Sequence, residues 1–148
     1  MAYVNRSFGF TERADITYTD AKPSHWAYME VEKAMGAGYI QGNSDGTVGI
    51  NKEISRQEVA VIISSLLKLT VTDNAELMKL EDASQISAWS KDDIGSVIAE
   101  KIMTGYPDKT FRASVSITRA EAIVTLNRAI EANIVDTRYR KRSQCNLG

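Results

Sequence analysis

The sequence predicts an all-α protein of repeated helix-turn-helix units packed as a helical bundle with short extended segments, and three observations lead there. Displacing the 148-residue chain on itself by 63 positions, the separation of Ser24 and Ser87, pairs Trp26 with Trp89, Gly42 with Gly105, Asp45 with Asp108, Thr47 with Thr110, Arg56 with Arg119 and Glu58 with Glu121, without a gap. Matches confined to residue types that punctuate structure indicate a duplicated supersecondary unit. Each copy carries apolar residues at helical spacing on both sides of a turn-rich stretch. The extended pieces Thr47-Val48 and Thr110-Phe111 are too short to support a sheet. A single repeat of this size hides its apolar face only against its neighbours.

The elements follow in order. Val4, Asn5 and Arg6 match Leu126, Asn127 and Arg128, so residues 1–17 read as the helix tail of a truncated first repeat. The first complete copy with its connector occupies residues 18–79, the second 80–134, and a basic tail 135–148. In the first copy a helix begins near Ser24, carries Val31, Ala34 and Met35 on one face, and stops at Gly38. Its counterpart begins near Ser87 and carries Ile94, Val97 and Ile98, with Lys101 where a glycine stop is expected. Residues 42–46 and 105–109 are dense in turn formers. The second helices are expected to bury Val59, Ile62, Ile63 and Leu66 in one copy and Ile123, Leu126 and Ile130 in the other. The stretch 70–79 joins the copies as a loop or short helical turn.

Composition removes several functions. With 18 Lys plus Arg against 19 Asp plus Glu, the net charge of −1 is not that of a polycation that coats nucleic acid or an acidic membrane. No apolar run is long enough to span a membrane as a helix. The opening segment does not resemble a signal peptide. One cysteine, Cys145, allows no internal disulfide, and with one histidine, His25, there is no zinc cluster. Asn43-Ser44-Asp45-Gly46 has the flavour of a calcium loop, but Lys52 stands at position twelve where a glutamate is required. No cofactor, metal or catalytic residue is expected, and Glu58 and Glu121 read as capping partners.

The starts of the second helices carry the most chemistry. Ser55-Arg56-Gln57-Glu58 and Thr118-Arg119-Ala120-Glu121 both have the Ser/Thr-x-x-Glu form of a capping box. The arginine is unexplained by capping, because a cation in the first turn opposes the helix dipole at a cost of about 0.3–1 kcal/mol. Arg56 and Arg119 are therefore candidate receptors for a carboxylate or phosphate, which a guanidinium holds through two parallel bonds. Trp26 and Trp89, each near a helix start, are expected to be mostly core, with an edge available to a sugar ring.

Tyr18-Thr19-Asp20, Trp26, Asp45-Gly46-Thr47 and Ile54-Ser55-Arg56-Gln57-Glu58, then Trp89, Gly105-Tyr106-Pro107-Asp108-Lys109-Thr110-Phe111 and Ile117-Thr118-Arg119-Ala120-Glu121, closely resemble the S-layer homology domain. The resemblance implies a pseudo-threefold bundle that fastens bacterial surface proteins to secondary polysaccharides of the cell wall, outside the cell. It implies glycan-binding grooves between repeats, often for a sugar bearing a pyruvate ketal, with Arg119 and Arg56 lining them. Trp26, Asp45, Gly46, Trp89, Tyr106 and Asp108 carry over from the same motifs. Two departures stand out: Asn43-Ser44 and Val48 replace Tyr-Pro and an aromatic in the first copy, and Lys109 replaces glycine in the second. A residue other than glycine held at positive φ there costs roughly 1 kcal/mol.

The alternative reading is a structural, self-assembling module of a surface layer that does not bind glycan. The expected partner is wall polysaccharide, with no nucleic acid and no membrane insertion. A homo-oligomer that completes the truncated repeat is left open by the apolar surface such a truncation exposes. The run Arg138-Tyr139-Arg140-Lys141-Arg142 is expected to be a solvated terminus, and Cys145 a free exposed thiol.

Overall fold

A computed structural model describes residues 1–70 and 73–145, with side chains up to residue 142; the thiol of Cys145 lies outside the described residues. The chain forms two compact units, Met1–Glu53 and Ile54–Gly148. Among the described residues no helix is long and apolar enough to cross a membrane.

The first unit holds α1 (Ala2–Phe8) and α2 (Tyr28–Gly36). Gly9, at φ 70°, closes α1 in the left-handed conformation. Glycine adopts that conformation without a Cβ penalty. Asn5 is only 2% exposed. It satisfies every polar atom it buries. Its amide donates to the Glu30 carbonyl at 3.0 Å and the Glu30 carboxylate at 2.7 Å, and its oxygen accepts the Tyr39 hydroxyl at 2.8 Å. Val4, Ala27, Val31 and Ala34 complete a small core. The helix expected from Ser24 opens instead as a turn, His25 N–H to the Lys22 carbonyl and Tyr28 N–H to that of His25, and becomes regular at Tyr28. Gly38 has the expected left-handed backbone, φ 75°, two residues beyond the helix.

The second unit holds α3 (Arg56–Leu67), α4 (Ala75–Met78), α5 (Lys91–Ala99) and α6 (Arg119–Cys145), with 3-10 turns at Ala83–Gln85 and Ala88–Ser90. Its core is larger: Ile63, Leu77, Ile94, Val97, Ile102, Met103 and Phe111 are sealed from water. Both capping boxes form. Glu58 N–H donates to Ser55 Oγ at 3.4 Å and Ser55 N–H to Glu58 Oε2 at 2.7 Å. Glu121 N–H donates to Thr118 Oγ1 at 3.2 Å and Thr118 N–H to Glu121 Oε2 at 3.0 Å. The extended segments form no sheet among the described residues; a lone antiparallel bridge joins Ser55 and Ser116.

The compact units cut across the sequence repeats. In the second unit α3, the second helix of one copy, packs on α5, the first helix of the next; α1 packs on α2 in the same way. Two sequence expectations need correction. Val59, Ile62, Leu126 and Ile130 are half-buried rather than core, and Ile123 is 59% exposed. Lys101 takes the left-handed conformation, φ 57°, so that helix end is closed without glycine. The basic tail continues α6, and its side chains to Arg142 are exposed, as expected of a solvated terminus.

Candidate functional site

The turns that follow α2 and α5 are built by the same bonds. In the second unit Asp108 Oδ1 accepts the Thr110 N–H at 3.0 Å and the Thr110 hydroxyl at 2.6 Å. In the first, Asp45 Oδ1 accepts the Thr47 N–H and hydroxyl at the same distances. Gly46 (φ 78°) and Lys109 (φ 61°) supply the left-handed corner. A second aspartate pins each turn from outside it: Asp20 accepts the N–H groups of Val48, Gly49 and Ile50, and Asp82 those of Phe111 and Arg112. Asp20 and Asp82 stand 62 positions apart, one short of the repeat register, so a gap-free comparison misses their equivalence. Allowing one gap aligns Tyr18-Thr19-Asp20 with Leu80-Glu81-Asp82 and recovers it.

Arg56 is enclosed. It is 5% exposed, and its Nε donates to the Phe111 carbonyl at 2.8 Å, Nη2 to the Thr104 carbonyl at 2.9 Å and Nη1 to Glu121 Oε1 at 3.3 Å. Its guanidinium also lies 4.7 Å from the ring centroids of Tyr106 and Phe111, close enough for attraction to the ring faces. The cation that opposes its own helix dipole is thus held by internal acceptors, and its fork is engaged within the unit. Tyr106 donates its hydroxyl to Glu121 Oε1 and lies 4.2 Å from the Arg112 guanidinium. That hydroxyl, followed by the Thr118 N–H, holds the Glu121 carboxyl below its ordinary pKa, whereas burial pushes Tyr106 up.

Arg119 differs from its repeat mate. It is exposed at the head of α6, and its side chain makes no hydrogen bond or ion pair among the described residues. The tryptophans also depart from expectation: Trp26 is 82% exposed and Trp89 58%, so neither is core. The His25 ring lies 5.8 Å from that of Trp26. The turn residues Asp45, Gly46, Asp108 and Tyr106 are engaged in shaping their own loops.

Sequence reasoning also missed Arg112. It sits at φ 57°, donates to Asp108 Oδ2 at 2.8 Å and to Thr110 Oγ1 at 3.2 Å, and helps hold the Asp108 carboxyl at about 2, where the first cause is the Thr110 hydroxyl. Beside it opens a cleft of about 300 Å³ lined by Asp82, Gln85, Ile86, Arg112, Ala113 and Val115. Asp108 joins that lining, so the cleft holds two carboxylates, one guanidinium and an amide between apolar walls. Lys109, on the same turn, is an exposed cation.

The S-layer homology domain family matches this chain at residues 17–60 and 79–123. Among similar proteins, the cellulosome-anchoring protein of Acetivibrio thermocellus is 32% identical over 121 residues, covering 81% of this chain and 27% of that protein. S-layer protein EA1 of Bacillus anthracis is 32% identical over 107 residues, 72% of this chain and 12% of the relative. An endoglucanase of a Bacillus species is 26% identical over 111 residues, 73% of this chain and 12% of the enzyme. The chain spans about a quarter of the first relative and about an eighth of the other two. A twofold family match placed on both copies of the turn and both capped arginines makes the chain a member of the S-layer homology domain family.

Proposed function

We propose that this chain is a non-catalytic anchoring module that works outside the bacterial cell and holds a surface protein to the wall by gripping secondary wall polysaccharide. One observation carries the reading. Trp26 and Trp89 occupy the same register in the two copies, and both present the indole to water. Burying such a ring is worth about 3–5 kcal/mol, so a fold that leaves both outside has another use for them. Stacking against the apolar face of a sugar is that use.

The cleft beside Arg112 would receive the hydroxyls of an adjoining ring. A carboxylate on the polymer, of which a pyruvate ketal is the kind the family resemblance implies, would meet Lys109 and the free edge of Arg112. Calorimetry with purified wall polysaccharide tests the reading. The double variant Trp26→Ala/Trp89→Ala is expected to lose at least about tenfold in affinity, while its unfolding free energy stays within about 0.5 kcal/mol. Depyruvylated polymer is expected to bind more weakly than native polymer. A structural module without glycan binding is the second reading, favoured by the wholly internal use of Arg56. It requires that the double variant be retained on isolated walls as firmly as the parent.

A further inference from the structure

The cleft beside Arg112 is built from residues that distinguish the second copy from the first. Gly49 stands one repeat before Arg112, and both positions are left-handed, at φ 72° and 57°. Glycine takes that conformation freely, whereas a residue with a side chain is strained there. A second wall differs as well. Three residues, 21–23, separate Asp20 from Ser24, but four, 83–86, separate Asp82 from Ser87. The longer stretch forms the 3-10 turn Ala83–Gln85 and brings Gln85 and Ile86 to the cleft. A strained arginine and an added residue, lining one cleft and found in one copy only, mark a local use.

The side chain of Arg112 is fixed in direction. Its Nε donates to Thr110 Oγ1 at 3.2 Å, its Nη2 to Asp108 Oδ2 at 2.8 Å, and its guanidinium lies 4.2 Å from the Tyr106 ring centroid. Asp82 accepts the Arg112 N–H at 2.7 Å and so holds the backbone. Asp108 Oδ2 and Arg112 Nη2 thus stand side by side, an acceptor next to a donor, on half-exposed side chains. A hydroxyl both donates and accepts. Two hydroxyls on adjacent carbons of a pyranose ring hold their oxygens at nearly the separation of this pair, so one donates to the carboxylate while its neighbour accepts from the guanidinium. Bonds assisted by charge in this way are stronger than neutral ones. The side chains of Gln85 and Ser114 line the same cleft and have no hydrogen-bond partner among the described residues, which leaves them for a further hydroxyl. Ile86 and Ala113, both buried, and Val115 offer apolar surface to the ring carbons. At about 300 Å³ the cleft is at the lower end of small-ligand sites, which suits one ring.

We propose that this cleft reads a diol: it takes one pyranose ring of the wall polysaccharide whose two adjacent hydroxyls are free, and Asp108 and Arg112 select it. This selection rests on the anchoring reading of the chain and adds to it which ring is chosen. A ring whose neighbouring hydroxyls are tied up in a ketal, an ester or a glycosidic bond has no such pair to offer, so the ring that bears a ketal lies outside the cleft. With Gly49 in place of the arginine, the first copy has no equivalent selector.

Calorimetry of the full chain with purified wall polysaccharide, native or oxidised with periodate and then reduced with borohydride, tests the proposal. Periodate cleaves the carbon–carbon bond between adjacent free hydroxyls and leaves ketals and carboxylates in place. The parent should lose about tenfold in affinity on the oxidised polymer. Arg112→Gly copies Gly49 at a left-handed position and should keep the parent's circular dichroism. It should bind native polymer about tenfold more weakly and no longer distinguish the two polymers. Arg112→Lys keeps a cation in a conformation that Lys101 and Lys109 already adopt, but not the fork, and should lose several-fold on native polymer. Trp26→Ala/Trp89→Ala, weaker on both polymers, should still distinguish them. A parent that binds oxidised and native polymer equally, or Arg112 variants that match the parent on native polymer, overturn the proposal while the anchoring reading stands. A periodate effect that survives in Arg112→Gly and vanishes in the tryptophan variant places the diol at the indoles and overturns it too. A parent that binds neither polymer ends the anchoring reading and the selection with it.

Discussion

Two arginines with one motif position give opposite expectations. Removing the Arg56 side chain strips the Phe111 and Thr104 carbonyls of their donors and leaves Glu121 without its guanidinium. Arg56→Ala should lower unfolding free energy by about 3–5 kcal/mol in urea, the range for breaking a buried charged pair. Arg119→Ala should stay within about 0.5 kcal/mol, the ordinary effect of an exposed substitution. Equal losses would mean that the enclosure of Arg56 contributes nothing. Acid acts on the same turn through Asp108, whose carboxyl is held at about 2 against an ordinary 3.8. A depressed carboxyl contributes its stability fully above the ordinary value and loses it as pH falls toward the folded one. Asp20, Asp45 and Glu121 are lowered as well, through bonds from Val48 N–H, the Thr47 hydroxyl and the Tyr106 hydroxyl respectively. Thermal midpoints should therefore hold down to about pH 4 and fall steeply between there and about pH 2. Asp108→Asn should melt lower at pH 7 and show a shallower acid slope.

At the scale of elements, the turns show which sequence signals were sufficient. The capping boxes were legible because both partners lie within four residues and their chemistry is local. The left-handed corners were legible where glycine marks them, at Gly38 and Gly46, and hidden at Lys101 and Arg112, where surrounding bonds enforce a conformation the residue disfavours. Lys101→Gly and Lys109→Gly should each raise stability by about 0.5–1 kcal/mol, since relief of the Cβ clash outweighs the added freedom of the unfolded chain. A loss at either site in denaturant titration would show that its side chain makes an unrecognised contact. The exposure of both tryptophans was not legible, because a Trp at a helix start has the same sequence signature whether its ring faces core or water. The fate of Arg56 was hidden too: its acceptors lie 48 and 55 residues away, beyond any local pattern.

Over the whole molecule the repeats are continuous in sequence but the packing is not, since each unit joins the second helix of one copy to the first helix and turn of the next. That offset follows from repeats that cannot seal their own apolar faces. The two units are unequal. The large sealed side chains Phe111, Ile63, Leu77, Ile94, Ile102 and Met103 all lie in the second unit, whereas Val31 and the polar Asn5 are the bulkiest fully sealed groups of the first. A unit of about 50 residues buries a smaller fraction of its surface than one of about 95 and is correspondingly marginal. Local opening should therefore begin in the first unit. Hydrogen exchange on the full chain should show amides of α5 protected at least about tenfold more than those of α2 under native conditions. A fragment beginning at Ile54 should retain a cooperative urea transition, because its core lies within it. Equal protection in α2 and α5, together with collapse of the isolated fragment, would mean that the chain opens only as one body and that the unequal cores do not set its order of unfolding.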